Sequence, residues 1–442
     1  MNLENLKENK LRFILSFSVP SVIAMLLQTV ITITDGYFTG NYVGEHALAA
    51  INLGLPVLYL YLGVGLCVGV GGSVICARLL GTKDRKRACE ALSQTMAAAV
   101  FACVLTSVIV FVLFTPILKV LKADGDLEGY FTEYYRIMLF AYPLMVWGSV
   151  LGMFNRTDGK PQFCMFVSIA SCILNAVLDW YFVAVLQMGV KGSAAATLLV
   201  QIAAVVVQLG YFAGRKAGIR FSRFTFDPNM NREMLLNGSS EFIGEMASAV
   251  SMFTFNYVLM KYVGAEGVAA FTILGFVVYG YSMICIGFGQ GISPLVGMCW
   301  GARETQTAMR IRVTTNKILL VIGGGIAVIF FVFGRYYAGI FGCSNAVADM
   351  VSSGFRFYAV TFLVMGYDVI NSMYFTSCGD ARSSALISSL RGMILLLAFT
   401  LILPAILGMT GVWLTAPCSE TLTAIVSAWL LTKQKRKIQT VE

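Results

Sequence analysis

Two aspartates, Asp35 and Asp179, stand in long apolar stretches that contain no lysine or arginine to neutralise them. A charge near the centre of a bilayer costs about 2.5–3.5 kcal/mol on insertion scales, so such residues need a role or a partner. Asn175 precedes Asp179 by four residues, a spacing that puts amide and carboxyl one turn apart on one helix face. A carboxyl in a partly dehydrated pocket favours its protonated form, and a second carboxyl beside it strengthens that preference. Asp35 and Asp179 together can therefore take up a proton from outside and release it when the pocket changes shape. The same oxygens, with Asn175, can instead coordinate Na⁺. A third reading leaves both acids hydrated at helix ends.

Pro20 interrupts the stretch that carries Asp35, about four helical turns before it. Its missing N–H allows a kink, so bending there is either linked to ion occupancy at Asp35 or purely structural.

These residues need a membrane-spanning frame, and composition supplies one. The 442 residues are 58% hydrophobic and 12% charged, where a soluble domain carries roughly 25% charged residues. Apolar stretches longer than about 18 residues recur, the length that crosses a hydrocarbon core roughly 30 Å thick. They predict helices near residues 13–38, 47–76, 90–115, 131–153, 162–186 and 192–213. A second set is predicted near 237–260, 268–298, 314–335, 351–376, 386–407 and 410–431. Their continuity excludes a closed β-barrel, whose strands alternate over about ten residues. The first stretch has no small-x-small cleavage site near its end and is expected to be a retained helix.

A net charge of +9 would suit an anionic partner. The basic residues are instead dispersed over successive short segments on one side of the predicted spans. Lys7, Lys10, Arg12, Arg78, Arg156, Arg215, Lys216, Arg312, Arg391 and Lys433 are among them. The exceptions are Lys119, Lys122, Arg136, Lys191, Lys261, Arg335 and Arg356. This bias places both termini in the cytosol and the chain in the cytoplasmic membrane, and it argues against nucleic acid. The cysteines fall mostly in apolar runs without CxxC spacing and read as small core residues. His46 is the single histidine, so no multi-His metal site exists, and no Walker loop or nucleophile–base set is present. An enzyme is not expected, nor a cofactor beyond a coupling ion.

The two sets of helices repeat one another. Tyr42-Val43-Gly44 and Ala49-Ala50 match Tyr262-Val263-Gly264 and Ala269-Ala270 at an offset of 220. At that offset Gly69, Gly71, Ser73, Gly81 and Gly159 fall on Gly289, Gly291, Ser293, Gly301 and Gly379. Gly192 falls on Gly411 after a one-residue slip. Six helices per half give both copies the same orientation, the arrangement that puts a transporter's substrate between halves that rock. The expected division is an N-terminal lobe over residues 1–215, a cytosolic linker over 216–236 and a C-terminal lobe over 237–442. Gly65/Gly69, Gly287/Gly291 and Gly297/Gly301 are small-xxx-small pairs suited to close helix packing.

The repeat is asymmetric in its acids. Asp35 corresponds to Phe255 and Asp179 to Phe399, whereas Glu245 corresponds to Met25 and Asp368 to Gly148. Glu420 falls on Gln201 in the slipped register. The first half thus holds the paired carboxylates, and the second half holds separate acids. Glu241, Glu245, Asp368 and Glu420, with Gln201, are the candidates for facing substrate; Glu241 and Glu245 alternatively favour a helix N-terminus. The 21 methionines and 12% aromatics suit an adaptable apolar cavity or ordinary helix packing.

The pattern Pro20…Asp35-Gly36-Tyr37-Phe38…Gly44…Leu48-Ala49-Ala50 resembles the MATE family, the multidrug and toxic compound extrusion transporters, of bacterial type. So do Asn155-Arg156-Thr157-Asp158-Gly159-Lys160-Pro161, Asn175…Asp179 and Gly189…Gly192…Thr197. The resemblance covers nearly the whole chain and implies an all-α, V-shaped exporter of twelve helices with a central cavity. It implies that Asp35, Asn175, Asp179 and Thr197 form an ion site in the first lobe and that Pro20 is a bending proline. The expected function is export of amphipathic, often cationic small molecules in exchange for H⁺ or Na⁺, by a chain that works as a monomer in the lipid bilayer. A lipid-linked saccharide flippase, of similar fold in a related family, is the alternative. Its phosphates would require basic residues along the cavity, and few Lys or Arg are expected in mid-helix.

Overall fold

The computed structural model describes residues 8–114, 116, 118, 126–214 and 217–441. Lys7, Lys119, Lys122, Arg215 and Lys216, with the lobe–linker junction at 215/216, lie outside the described residues. The first half comprises α1 (Lys10–Tyr42), a short α2 (Glu45–Leu53), α3 (Leu55–Gly81), α4 (Arg85–Val112), α5 (Asp126–Thr157), α6 (Pro161–Val185) and α7 (Val190–Ala213). The second comprises α8 (Pro228–Tyr262), α9 (Ala265–Gly301), α10 (Thr305–Gly339), α11 (Asn345–Cys378), α12 (Ala381–Leu407) and α13 (Met409–Val441).

Among the described residues, 11 of these helices are long and apolar enough to cross a bilayer. The twelfth span is α8, whose Arg232, Glu233, Glu241, Glu245 and Lys261 lower its hydropathy. Its 35 residues nevertheless exceed the hydrocarbon thickness at about 1.5 Å per residue. With nine residues, α2 is too short to span.

The expected single helix over 47–76 is two helices. Gly54 separates them, because a side chain there would collide with the Tyr135 ring. The Tyr135 hydroxyl donates to the Ile51 carbonyl at 2.8 Å and holds the break. Two arginines assigned to loops also need correction. The helix expected from 314 begins at Thr305, and that expected from 386 begins at Ala381, so Arg312 and Arg391 stand inside spans. Both are tolerated because they are partnered: Arg312 donates to Asn371 at 3.1 Å and Arg391 to Glu420 at 2.8 Å. Arg391 lies in a π-helical turn, Leu390–Ile394; a second such turn, Trp180–Val185, ends α6.

The internal repeat is written into the backbone. Lys83 and Arg303 take φ of 63° and 61°, and Gly159 and Gly379 take 82° and 83°, each pair at the offset of 220. Two hydrophobic cores follow. One gathers Tyr61, Phe131, Tyr135, Phe154 and Phe212, the other Tyr281, Phe355, Phe362, Phe375 and Trp413. Ile14 and Phe17, from the start of α1, join the second core, and Met234, from the start of α8, joins the first. The lobes therefore clasp one another on the side that bears both termini.

Small residues make that clasp. A Cβ at Gly81 would strike the Met298 carbonyl, and one at Gly301 the Arg78 carbonyl, so α3 and α9 cross backbone to backbone. Gly287 and Gly291 lie against Val22 and Ser18 of α1, and Gly297 against Ala77. Within the first half Gly65 and Gly69 face Val146 and Val150. Toward the opposite end of α9, Gly275 and Gly280 meet nothing within 4 Å. Among the described residues, twelve spanning helices thus form two six-helix lobes in a V around a central cleft, with the apex on the terminal side.

Candidate functional site

In the first lobe α1, α6 and α7 pack together. Asp35 and Thr39 occupy one face of α1, Asn175 and Asp179 one face of α6, Ser193 and Thr197 one face of α7, each pair one turn apart. The side chains of Asp35, Asn175 and Asp179 face one another. Asn175, Asp179, Thr39 and Ser193 are fully buried, and Thr197 is nearly so. Their spacing leaves both oxygens of Asp179, Oδ1 of Asp35, both polar atoms of Asn175 and the hydroxyls of Thr39, Ser193 and Thr197 without a protein hydrogen-bond partner. Tyr134 and Tyr142 of α5 lie within electrostatic range of Asp35.

This geometry removes the reading in which both acids are hydrated at helix ends. It also extends the set read from the sequence. Thr39 and Ser193 are visible in the sequence only as residues one turn from Asp35 and Thr197, a signal that hydroxyl residues often give by chance. Tyr134 and Tyr142 left no signal at all. Among the described residues no Lys or Arg pairs with either aspartate. Two facing carboxylates cannot both stay bare in such a place; a proton, or a monovalent cation held by hard oxygen donors, relieves the repulsion.

Pro20 is buried in α1. Lacking an N–H, it leaves the Ser16 carbonyl without its intrahelical partner. Gln162 of α6 supplies a donor at 3.4 Å. The segment before Pro20 is anchored in the second core and Asp35 in the first lobe, so the proline stands where one helix passes between two bodies.

In the second lobe the acids expected to be separate are gathered. The Nε of Arg391 is 2.8 and 3.0 Å from the two carboxylate oxygens of Glu420. Asp368 adjoins Glu420, is fully buried, and has no hydrogen-bond partner on either oxygen. Glu420 is only 6% exposed, so neither acid lies open to the cleft as the sequence suggested. The physical reason is Arg391: its charge permits acids in a core. Gln201, half-buried, sits beside Gly148 inside the first lobe, and Gly148 and Gln201 thus repeat the juxtaposition of Asp368 and Glu420.

At the position matching Asp35, Phe255 stacks on Phe271 at 5.0 Å, with Trp413 next in line at 6.2 Å. Glu241 and Glu245 are half-buried on α8. Neither is near that helix's N-terminus at Pro228, which discards the helix-dipole reading. Glu245 and Phe242 face Gly63 of α3, where the lobes adjoin.

Comparison with known proteins gives consistent results. The chain is 25% identical over 425 residues to the multidrug export protein MepA of Staphylococcus saprophyticus, covering 95% of this chain and 93% of that protein. It is 24% identical over 413 residues to MepA of Staphylococcus aureus, covering 93% and 91%. A crystal structure of MATE in the bent conformation superposes with a TM-score of 0.91 at 22% identity, covering 97% of this chain and 96% of that one. The MatE family model matches residues 20–181 and again 242–412, once in each lobe. With its halves matched in turn over most of its length, the chain belongs to the MatE family of multidrug efflux transporters.

Proposed function

We propose that the protein is a secondary antiporter that expels amphipathic, often cationic compounds in exchange for H⁺ or Na⁺. The observation that carries this reading is the acid pair of half-buried Asp35 and fully buried Asp179, set among unpartnered oxygens and, among the described residues, with no Lys or Arg paired to either. Asn175 and Thr197 complete the set that takes the ion, and Pro20 is the point at which α1 bends with occupancy. The terminal side is the cytoplasmic one, so the cleft of the V faces outward. The cytoplasmic membrane is the expected location.

The driving force is adequate. At a proton-motive force of roughly 200 mV, one proton supplies about 4.6 kcal/mol. One-for-one exchange then sustains an approximately thousandfold gradient of a neutral substrate, at about 1.4 kcal/mol per decade. Multidrug export in the MepA relatives supports the substrate class. A flippase is less favoured, because Arg312 and Arg391 are engaged by Asn371 and Glu420 rather than turned to a phosphate.

The test is dye efflux from proteoliposomes with a pH or a Na⁺ gradient imposed separately. One gradient should drive efflux in wild type and neither in Asp35→Asn or Asp179→Asn. Wild-type efflux in both variants would remove the pair from the mechanism.

A further inference from the structure

Buried hydroxyls fill the junction of α8, α11 and α12. The side-chain oxygens of Ser240 and Thr376 are 3.3 Å apart, Thr376 and Ser384 2.6 Å, Ser384 and Ser372 3.1 Å, and Ser372 and Ser388 3.0 Å. In each contact either oxygen can be the donor. Ser240, Thr376 and Ser384 are fully buried, and Ser372 is nearly so.

A carboxyl stands beyond each end of this row. Asp368, Ser372 and Thr376 follow at four-residue steps along one face of α11, so Asp368 stands one turn beyond Ser372. Both oxygens of Asp368 lack a partner. At the other end Glu241 follows Ser240 and interacts with its hydroxyl. Glu420 and Arg391 face Asp368. Glu245, Arg391 and Cys67 of α3 face Glu241.

Packing alone does not demand these hydroxyls. In the first lobe the matching positions are Pro20, Arg156, Cys164, Gly152 and Ser168. Gly152 and Cys164 are still neighbours, 3.1 Å apart counting from a Cβ built on the glycine, so the same helix contact forms without a hydroxyl pair.

We propose that Ser372, Ser384, Thr376 and Ser240 form a proton relay that joins Asp368 to Glu241. The proton on the Asp368 carboxyl crosses one helical turn to Ser372, a distance that one hydrogen-bonded water spans. Each hydroxyl oxygen then accepts a proton from one side and yields its own to the other. Ser240 delivers the last to the Glu241 carboxylate. One O–H bond is lost at Asp368, one is formed at Glu241, and the hydroxyls are left reversed but chemically unchanged. Ser388, in contact with Ser372 alone among these hydroxyls, is a side branch. The relay rests on the H⁺ form of the proposed antiport and gives the second lobe a proton route of its own.

The test uses purified protein in proteoliposomes under a pH gradient, with a cationic dye as substrate and a pH-sensitive fluorophore inside. Ser372→Ala and Thr376→Val should each cut proton movement per dye exported by about a hundredfold, the low end of the range for losing a proton-transfer group. Dye affinity should hold. The hydroxyl-retaining Ser372→Thr and Thr376→Ser should restore the flux, and D₂O should slow wild type but not the hydroxyl-free forms. Proton flux at the wild-type level in Ser372→Ala and Thr376→Val would overturn the relay, as would a loss that Ser372→Thr and Thr376→Ser fail to recover. Asp35→Asn and Asp179→Asn run in parallel report on the antiport itself. Transport driven by Na⁺ alone would dismiss the relay while leaving the antiport reading in place.

Discussion

Each lobe holds two neighbouring acids within its helices, yet they compensate the charge in opposite ways. In the first lobe Asp35 and Asp179 face each other, and among the described residues no guanidinium or ammonium pairs with them. In the second, Asp368 and Glu420 lie beside Arg391, a cation fixed to the chain. A tethered cation cannot leave, so Glu420 is balanced in every state, and Asp368 beside it is the acid left to hold a proton. An acid pair without one must exchange a mobile ion whenever the pocket opens or closes. The difference teaches that a duplicated scaffold can hold a bare acid pair in one copy and an acid pair with a fixed counter-charge in the other, through substitutions at a few matched positions.

The strongest way to break that contrast is to neutralise the first-lobe pair. Asp35→Asn or Asp179→Asn should lower gradient-driven efflux by about a hundredfold or more, while the protein still reaches the membrane. If the ion is H⁺, acidifying the outside should speed wild type, because the pair loads from that side, and should leave both variants unmoved; initial dye-efflux rates across external pH read this.

Arg391→Met sharpens the contrast from the other lobe. It strands Glu420 and Asp368 and should cost about 3 kcal/mol of stability, the low end for breaking a buried pair because Arg391 keeps 25% of its side chain exposed. Thermal unfolding in detergent checks it. Adding Glu420→Gln should recover part of the loss; no recovery would mean that the pair does not act as a unit.

Pro20→Ala should slow turnover by about fivefold with little change in dye binding, since a continuous helix resists bending. An unchanged rate would discard the hinge. The smallest effect belongs to Gln162→Ala, which removes one long hydrogen bond to the Ser16 carbonyl. About 0.5 kcal/mol is expected, with a change in efflux of no more than about twofold. In the Pro20→Ala background the same substitution should do nothing, because the carbonyl regains its own helix partner.

Much of this is legible in the sequence. Uninterrupted apolar stretches specify spans because the bilayer leaves the backbone no alternative to helix. Asp35, Asn175 and Asp179 declared themselves through the cost of an unpaired acid in such a stretch. Arg391 did not. Counting basic residues at apolar boundaries assigns it to a loop, since the partner that buries it, Glu420, is 29 residues away. The break at Gly54 was hidden for a similar reason, because the ring that requires it comes from Tyr135. The hydroxyl row was invisible too: serines at four-residue spacing are common, and only the meeting of three helices joins them.

The crossing of α3 and α9 at Gly81 and Gly301 bears on leakage. Where two main chains touch directly, no side chain can swing aside to admit an ion, and thermal breathing of rotamers opens no channel. Such a plug is released only when whole helices separate. Uncoupled slippage across the apex should therefore be as rare as the full swing of one half against the other.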